Sequence, residues 1–143
     1  MITLQRTVST RTPADIVFPY LVDFSNASEW DSGTVSCHRA SGDGGPGTIY
    51  HNVSRFAGRT VSLEYTVVSA TEPEFVVVGR NATTTSTDTI RVTPSPTGSV
   101  VEYTAEFQFS GPARFLGPLM RPLLDRLANA TAAQLKTVLD ALA

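Results

Sequence analysis

Cysteine, histidine, surplus positive charge and long apolar runs are all scarce in this chain, and each scarcity excludes something. Cys37 is the single cysteine in 143 residues. It can form no disulfide within the chain and no multi-cysteine metal site, which fits a reducing compartment. His38 and His51 are the only histidines, and neither has a second ligand at metal-binding spacing. Eleven Lys and Arg against thirteen Asp and Glu leave a net charge of −2. A nucleic-acid binder needs a basic face and a polybasic membrane anchor needs a basic cluster, so neither is expected. No apolar stretch reaches the roughly 18 residues of a membrane helix. Met1 to Arg6 lacks the basic-then-apolar pattern of a signal peptide. The expectation is a single cytoplasmic domain over residues 1–143, with no cofactor, no metal, no nucleic-acid partner and no integral membrane segment. Its oligomeric state is left open.

What is present is a strong change of period along the chain. Ile2 to Ser9 is rich in strand formers. Thr12 then suits a helix N-cap, Pro13 the first helical position and Asp15 the first turn, ahead of an apolar run from Ile16 to Val22. Pro19 lies inside that run and predicts a kink. Ser25 is placed to cap a second short helix reaching Trp30. From Thr34 the pattern alternates. Strands are expected over Thr34 to Ser41, Thr48 to Phe56, Thr60 to Ala70, Glu74 to Arg80, Thr84 to Thr93 and Ser99 to Phe109. Gly, Pro and Asn fill the breaks between them, which are short enough to be hairpins of an antiparallel sheet. The Ser/Thr-rich run from Thr83 to Thr89 reads as polar strand. A final helix carries Leu119, Met120, Leu123, Leu124, Leu127, Thr131, Leu135, Val138, Leu139 and Leu142 at helical spacing. Pro118 suits its first turn, and Pro122 predicts a kink or a delayed start. Such a helix needs an apolar partner, and the apolar face of the sheet is the one large enough.

That order resembles the START-like, Bet v 1-like (SRPBCC) superfamily, which includes START lipid-transfer domains, birch-pollen-type allergens and bacterial aromatase/cyclases. Thr12 to Asp23 is similar to the first-helix signature of the bacterial polyketide cyclase/dehydrase branch, and Trp30-Asp31 to the tryptophan that ends its second helix. Gly42-Asp43-Gly44-Gly45-Pro46-Gly47-Thr48-Ile49 resembles the glycine-rich loop of the pollen-allergen branch. It lacks dinucleotide and P-loop spacing and reads as a hairpin turn. The resemblance implies an α+β helix-grip fold. In it a seven-stranded curved antiparallel sheet wraps around the C-terminal helix, with two short helices between the first and second strands. It also implies a cavity under the N-terminal half of that helix.

The resemblance places Phe115, Leu119, Met120 and Leu123 at this cavity. Alternation adds the inward sets: Tyr65 with Val61, Leu63 and Val67, and Tyr103 with Val101, Ala105, Phe107 and Phe109. If Tyr50 faces in, so do Asn52 and Ser54. If Ile90 and Val92 face in, so does Asp88. Asn52 and Asp88 either line the cavity or meet solvent at strand ends. Trp30 either roofs the entrance, its N–H on a polar partner, or plugs the core. Alternation puts His51 on the outer face, while the facing of Arg80 is open.

The implied partner is a hydrophobic small molecule such as a lipid, polyketide or isoprenoid. An aromatase/cyclase or dehydratase is the alternative, with Asp88 as base, Tyr65 or Tyr103 as proton donor and Asn52 as orienting group. A protein-binding, co-chaperone-like adaptor is the third. No nucleophile-elbow sequence is present to suggest a hydrolase.

Overall fold

The computed structural model describes residues 1–143, Leu116 by its backbone alone. Strand β1 (Ile2–Thr10) leads into helix α1 (Ala14–Val22), a 3₁₀ turn (Phe24–Asn26) and the one-turn helix α2 (Ala27–Trp30). Six strands follow: β2 (Thr34–Ser41), β3 (Ile49–Phe56), β4 (Arg59–Thr71), β5 (Glu74–Arg80), β6 (Thr84–Ser95) and β7 (Gly98–Phe109). A 3₁₀ segment (Gly111–Leu116) then feeds helix α3 (Gly117–Asp140). The sheet order is β1-β7-β6-β5-β4-β3-β2, every neighbouring pair antiparallel. Consecutive hairpins thus give every neighbouring pair except β1 and β7, which are brought together by closure of the chain onto its own start.

The alternation does what period two requires. Phe75, Val77, Ile90, Val92 and Val101 are fully or almost fully buried on the face that meets the helices. The main core joins this face to Val17, Phe18 and Leu21 of α1, to Phe24 and Trp30, and to Leu135 and Leu139 of α3. A smaller cluster, Ile2, Leu4, Leu124 and Ala128, sits at the other end of α3. The molecule therefore has a densely packed end, under α1 and the C-terminal half of α3, and a lightly packed end under the N-terminal half of α3.

Two expected caps are placed differently. Pro13, not Thr12, precedes the first helical residue, and its carbonyl accepts from the amides of Ile16 and Val17. The Thr12 hydroxyl instead donates across the fold to the Leu139 carbonyl at 2.5 Å, tying the start of α1 to the end of α3. The cap before Ser25 is Asp23, whose carboxylate accepts from the Ser25 amide at 3.2 Å. The prolines leave both helices unbroken in their hydrogen-bonded span. α1 continues through the exposed Pro19 and α3 through the exposed Pro122, without a delayed start. Each proline lies on the solvent side, where the carbonyl left without its intrahelical donor is free to be hydrated. At the last hairpin β6 runs on through Pro94 to Ser95, beyond the Thr93 limit expected from the Pro-Ser-Pro break.

The candidate cavity

A cavity of about 140 Å³ lies between the lightly packed half of α3 and the concave face of the sheet. One water needs about 10–15 Å³ on this measure, so the space is that of several waters or a small organic group. Its walls are mostly apolar. Leu4, Phe56, Val61, Leu63, Ala105 and Phe107 come from the strands, and Met120, Leu124, Leu127 and Ala128 from α3. A polar cluster is formed by Tyr65, Ser86, Asp88 and Tyr103 from the sheet with Asp31 and Thr131, and Ser54, Arg55 and Thr84 also contribute to the wall.

The ladder assembles the polar set. Asp88 sits mid-strand between Val77 of β5 and Ala105 of β7. Tyr65 pairs with Gly79, which in turn pairs with Ser86, two residues before Asp88 on the same face. Gly79 is inward-facing, and a Cβ there would lie 2.7 Å from the Tyr65 ring. The ring thus occupies the space a side chain at 79 would take, a role that requires glycine.

Asp88 is 4% exposed and has no cation in reach; the Ser86 hydroxyl lies 3.5 Å from its Oδ1. Burial, reinforced by the negative charge of Asp31, lifts its carboxyl from 3.8 to about 7. Hydrogen bonding from the Tyr103 and Ser86 hydroxyls opposes the shift without cancelling it. Burial also pushes the Tyr65 and Tyr103 phenols well above their ordinary range, with Asp88 adding to the effect. Both are therefore hydrogen-bond donors at neutral pH. Asp31 is held in place by three donors: its carboxylate accepts from Thr34 Oγ1 at 2.7 Å, from Thr131 Oγ1 at 2.9 Å and from the Gly33 amide at 3.4 Å. Among the described residues no group of three His, Cys, Asp or Glu side chains is placed to hold a metal ion.

The family model described as polyketide cyclase / dehydrase and lipid transport matches residues 1–140. The chain belongs to that family. Its fold is that of the START/Bet v 1 superfamily, as comparison with solved structures shows. A START superfamily protein from Mycobacterium smegmatis superposes with a TM-score of 0.82 at 15% identity, covering 99% of both chains. The Zhui aromatase/cyclase of a Streptomyces species gives 0.80 at 12% identity over 97% of this chain and 93% of that one. The Ara h 8.0201 structure gives 0.69 at 13% identity over 96% and 97%. No curated protein matches the chain in sequence.

Within this family fold, the expected site residues divide. Tyr65, Asp88, Tyr103, Phe107 and Met120 line the cavity together. Asn52 is buried beside it, donating to Thr34 Oγ1 at 3.2 Å and accepting at 2.6 Å from Ser54, which does line it. Trp30 is 1% exposed in the packed core, edge-on to Phe24 and Tyr103, and its Nε1 finds no hydrogen-bond partner among the described residues. It plugs the core and does not roof the entrance. Tyr50 is also core, packed on Phe24. Phe115, Leu119 and Leu123 do not reach the cavity: they are 69%, 73% and 38% exposed. The inward stripe of α3 is Met120, Leu124, Leu127, Ala128 and Thr131, one position round from Leu119 and Leu123. One residue is a rotation of about 100° on a helix, enough to move a side chain from wall to solvent. Arg80 is exposed, because Gly79 takes the inward position, and His51 is exposed on the outer face.

Asp31, Ser86 and Leu127 were not expected at the site. Ser86 was reachable by alternation from Asp88, and Leu127 by the i+3 and i+7 spacing from Leu124 and Met120. Asp31 follows a helix too short to have a readable face.

Proposed function

We propose that this protein binds a hydrophobic small molecule of lipid, polyketide or isoprenoid character. Its apolar body would lie between α3 and the sheet, with a carbonyl or hydroxyl group at Asp88, Tyr103 and Tyr65. The observation that carries this reading is the cavity itself: apolar walls converging on one buried polar cluster, the usual make-up of a small-molecule site. The cluster also restricts the ligand. It holds two carboxyls and two phenols, while Arg55 of the cavity wall turns its guanidinium to Thr60 Oγ1 and the Gly58 carbonyl, so a ligand carboxylate there would add a third acid to the cluster. A neutral oxygen can accept from the phenols and from protonated Asp88.

The neutral dye phenylnaphthylamine tests the reading. It should bind with enhanced emission and be displaced by apolar ketones or alcohols better than by fatty acids. Ala128→Phe, which fills the space from the α3 side, should weaken uptake by about tenfold or more. Uptake unchanged in that variant, or absent from the native protein, sinks the proposal.

The Asp88 carboxyl favours a second reading, an aromatase/cyclase or dehydratase. A carboxyl titrating near 7 is suited to take a proton from carbon next to a ligand carbonyl, while Tyr103 or Tyr65 donates a hydrogen bond to the enolate oxygen that forms. Turnover of a short poly-β-ketone thioester should then rise with pH through about 7 and be lost in Asp88→Asn. Equal turnover in native protein and variant leaves the binding reading alone.

A further inference from the structure

The charge of the chain is not evenly spread. Three segments meet at the end of the molecule where the lightly packed half of α3 begins: the β3–β4 hairpin (55–60), the β5–β6 connection (80–84) and the entry to α3 (110–123). The Ser110 amide donates to the Thr83 carbonyl at 2.9 Å, joining the last two, and Asn81 Nδ2 donates at 3.1 Å to the carbonyl of Ser62, on β4 just past the hairpin. Together they contain Arg55, Arg59, Arg80, Arg114 and Arg121 and not one Asp or Glu, in a chain whose net charge is −2. All five are exposed. Among the described residues none is in an ion pair, whereas Arg6, Arg91 and Lys136 elsewhere are paired with Asp125, Glu74 and Asp140.

The same end carries large apolar side chains left in water, Phe115 of the 3₁₀ segment and Leu119 and Leu123 of α3. The Arg114 guanidinium lies 4.7 Å from the centroid of the Phe115 ring. Exposed aromatic and leucine side chains intermixed with arginines are the chemistry of an interfacial membrane contact. The apolar groups enter the acyl boundary and the guanidiniums meet lipid phosphates. We propose that this end of the molecule docks on the surface of an anionic lipid bilayer. The arginines come from three separate chain segments rather than from one cleft, which suits a laterally continuous negative surface better than a single acidic group. Because the cavity wall includes Arg55, Phe56 and Met120 from these same segments, docking would set the cavity against the source of an apolar ligand. That last link alone rests on the proposed function.

Flotation with vesicles tests the docking. Vesicles of equal parts phosphatidylcholine and phosphatidylglycerol should carry the protein at low ionic strength and release it at high salt. Vesicles of phosphatidylcholine alone should carry little. Two double variants lie outside the cavity wall, Phe115→Ser with Leu119→Ser and Arg59→Glu with Arg114→Glu. Each should bind the mixed vesicles about tenfold more weakly or worse. Both should keep the native circular dichroism spectrum and cooperative thermal unfolding, which report that they are folded whether or not the cavity takes up a ligand. Three results overturn the proposal: no flotation with mixed vesicles at low salt, equal flotation with both lipid compositions, or undiminished flotation of both variants. The first is also the result expected if the surface serves an acidic protein instead.

Discussion

Asp88 is a carboxyl with no cation to answer its charge, and the fold carries the consequence. Its unfolded form ionises near the ordinary 3.8, its folded form near 7. Between these values the folded state holds a proton that the unfolded chain has given up, so folding stability falls as pH rises through the window. The penalty is absent below about pH 4 and complete above about 7. Asn at this position stays neutral. Asp88→Asn should therefore be the more stable protein at pH 8, by about 2–4 kcal/mol in denaturant titrations, with the difference closing toward pH 4. A variant less stable than native at pH 8 would contradict the burial argument. A group that weakens the native state and sits in a cavity is what a functional constraint looks like. The inward facing of Asp88 was readable from its parity with Ile90 and Val92. Asp31 was not, because no period fixes the facing of a residue just past a one-turn helix.

The elements were more legible than the residues they present. Strand alternation and the final leucine stripe specify seven strands and a long helix, because sheet and helix periods differ and each persists for many residues. Edges and caps were less readable, since they depend on partners distant in sequence. Thr12 serves α3 rather than its own helix, and Pro94 extends a strand in place of ending it. The stripe on α3 was broad enough to include both Leu119 and Met120, and only packing against the sheet chooses between them. Gly79 is the counterpart on β5: in sequence it looks like a weak point of a strand, while in the fold it is the seat of the Tyr65 ring. Gly79→Ala should cost about 1–3 kcal/mol of stability from overpacking. In a Tyr65→Ala background the same substitution should cost less than about 0.5 kcal/mol, since the two effects share one space. Additive costs in that cycle would exclude the contact as their cause.

At the scale of the whole molecule the two ends of α3 live in different surroundings. Leu135 and Leu139 are packed into the main core, and Thr12, Thr10 and Arg11 bond to Leu139 and Asp140. Leu124 and Ala128 belong to the small cluster above the cavity. Amide hydrogen exchange should follow this division: Leu123 to Leu127 should exchange about tenfold faster or more than Leu135 to Leu139, and a ligand should narrow the gap. Uniform protection along the helix would count against it. The cavity also gives the protein a mechanical property. Empty volume inside a fold disappears when the chain unfolds, so the unfolded state is the smaller one and hydrostatic pressure favours it. Of the two ends of the molecule, the lightly packed one around the cavity should yield to pressure first. A molecule that fills the cavity should raise the pressure midpoint, so that ligands unknown by name can be ranked by the compression the fold withstands.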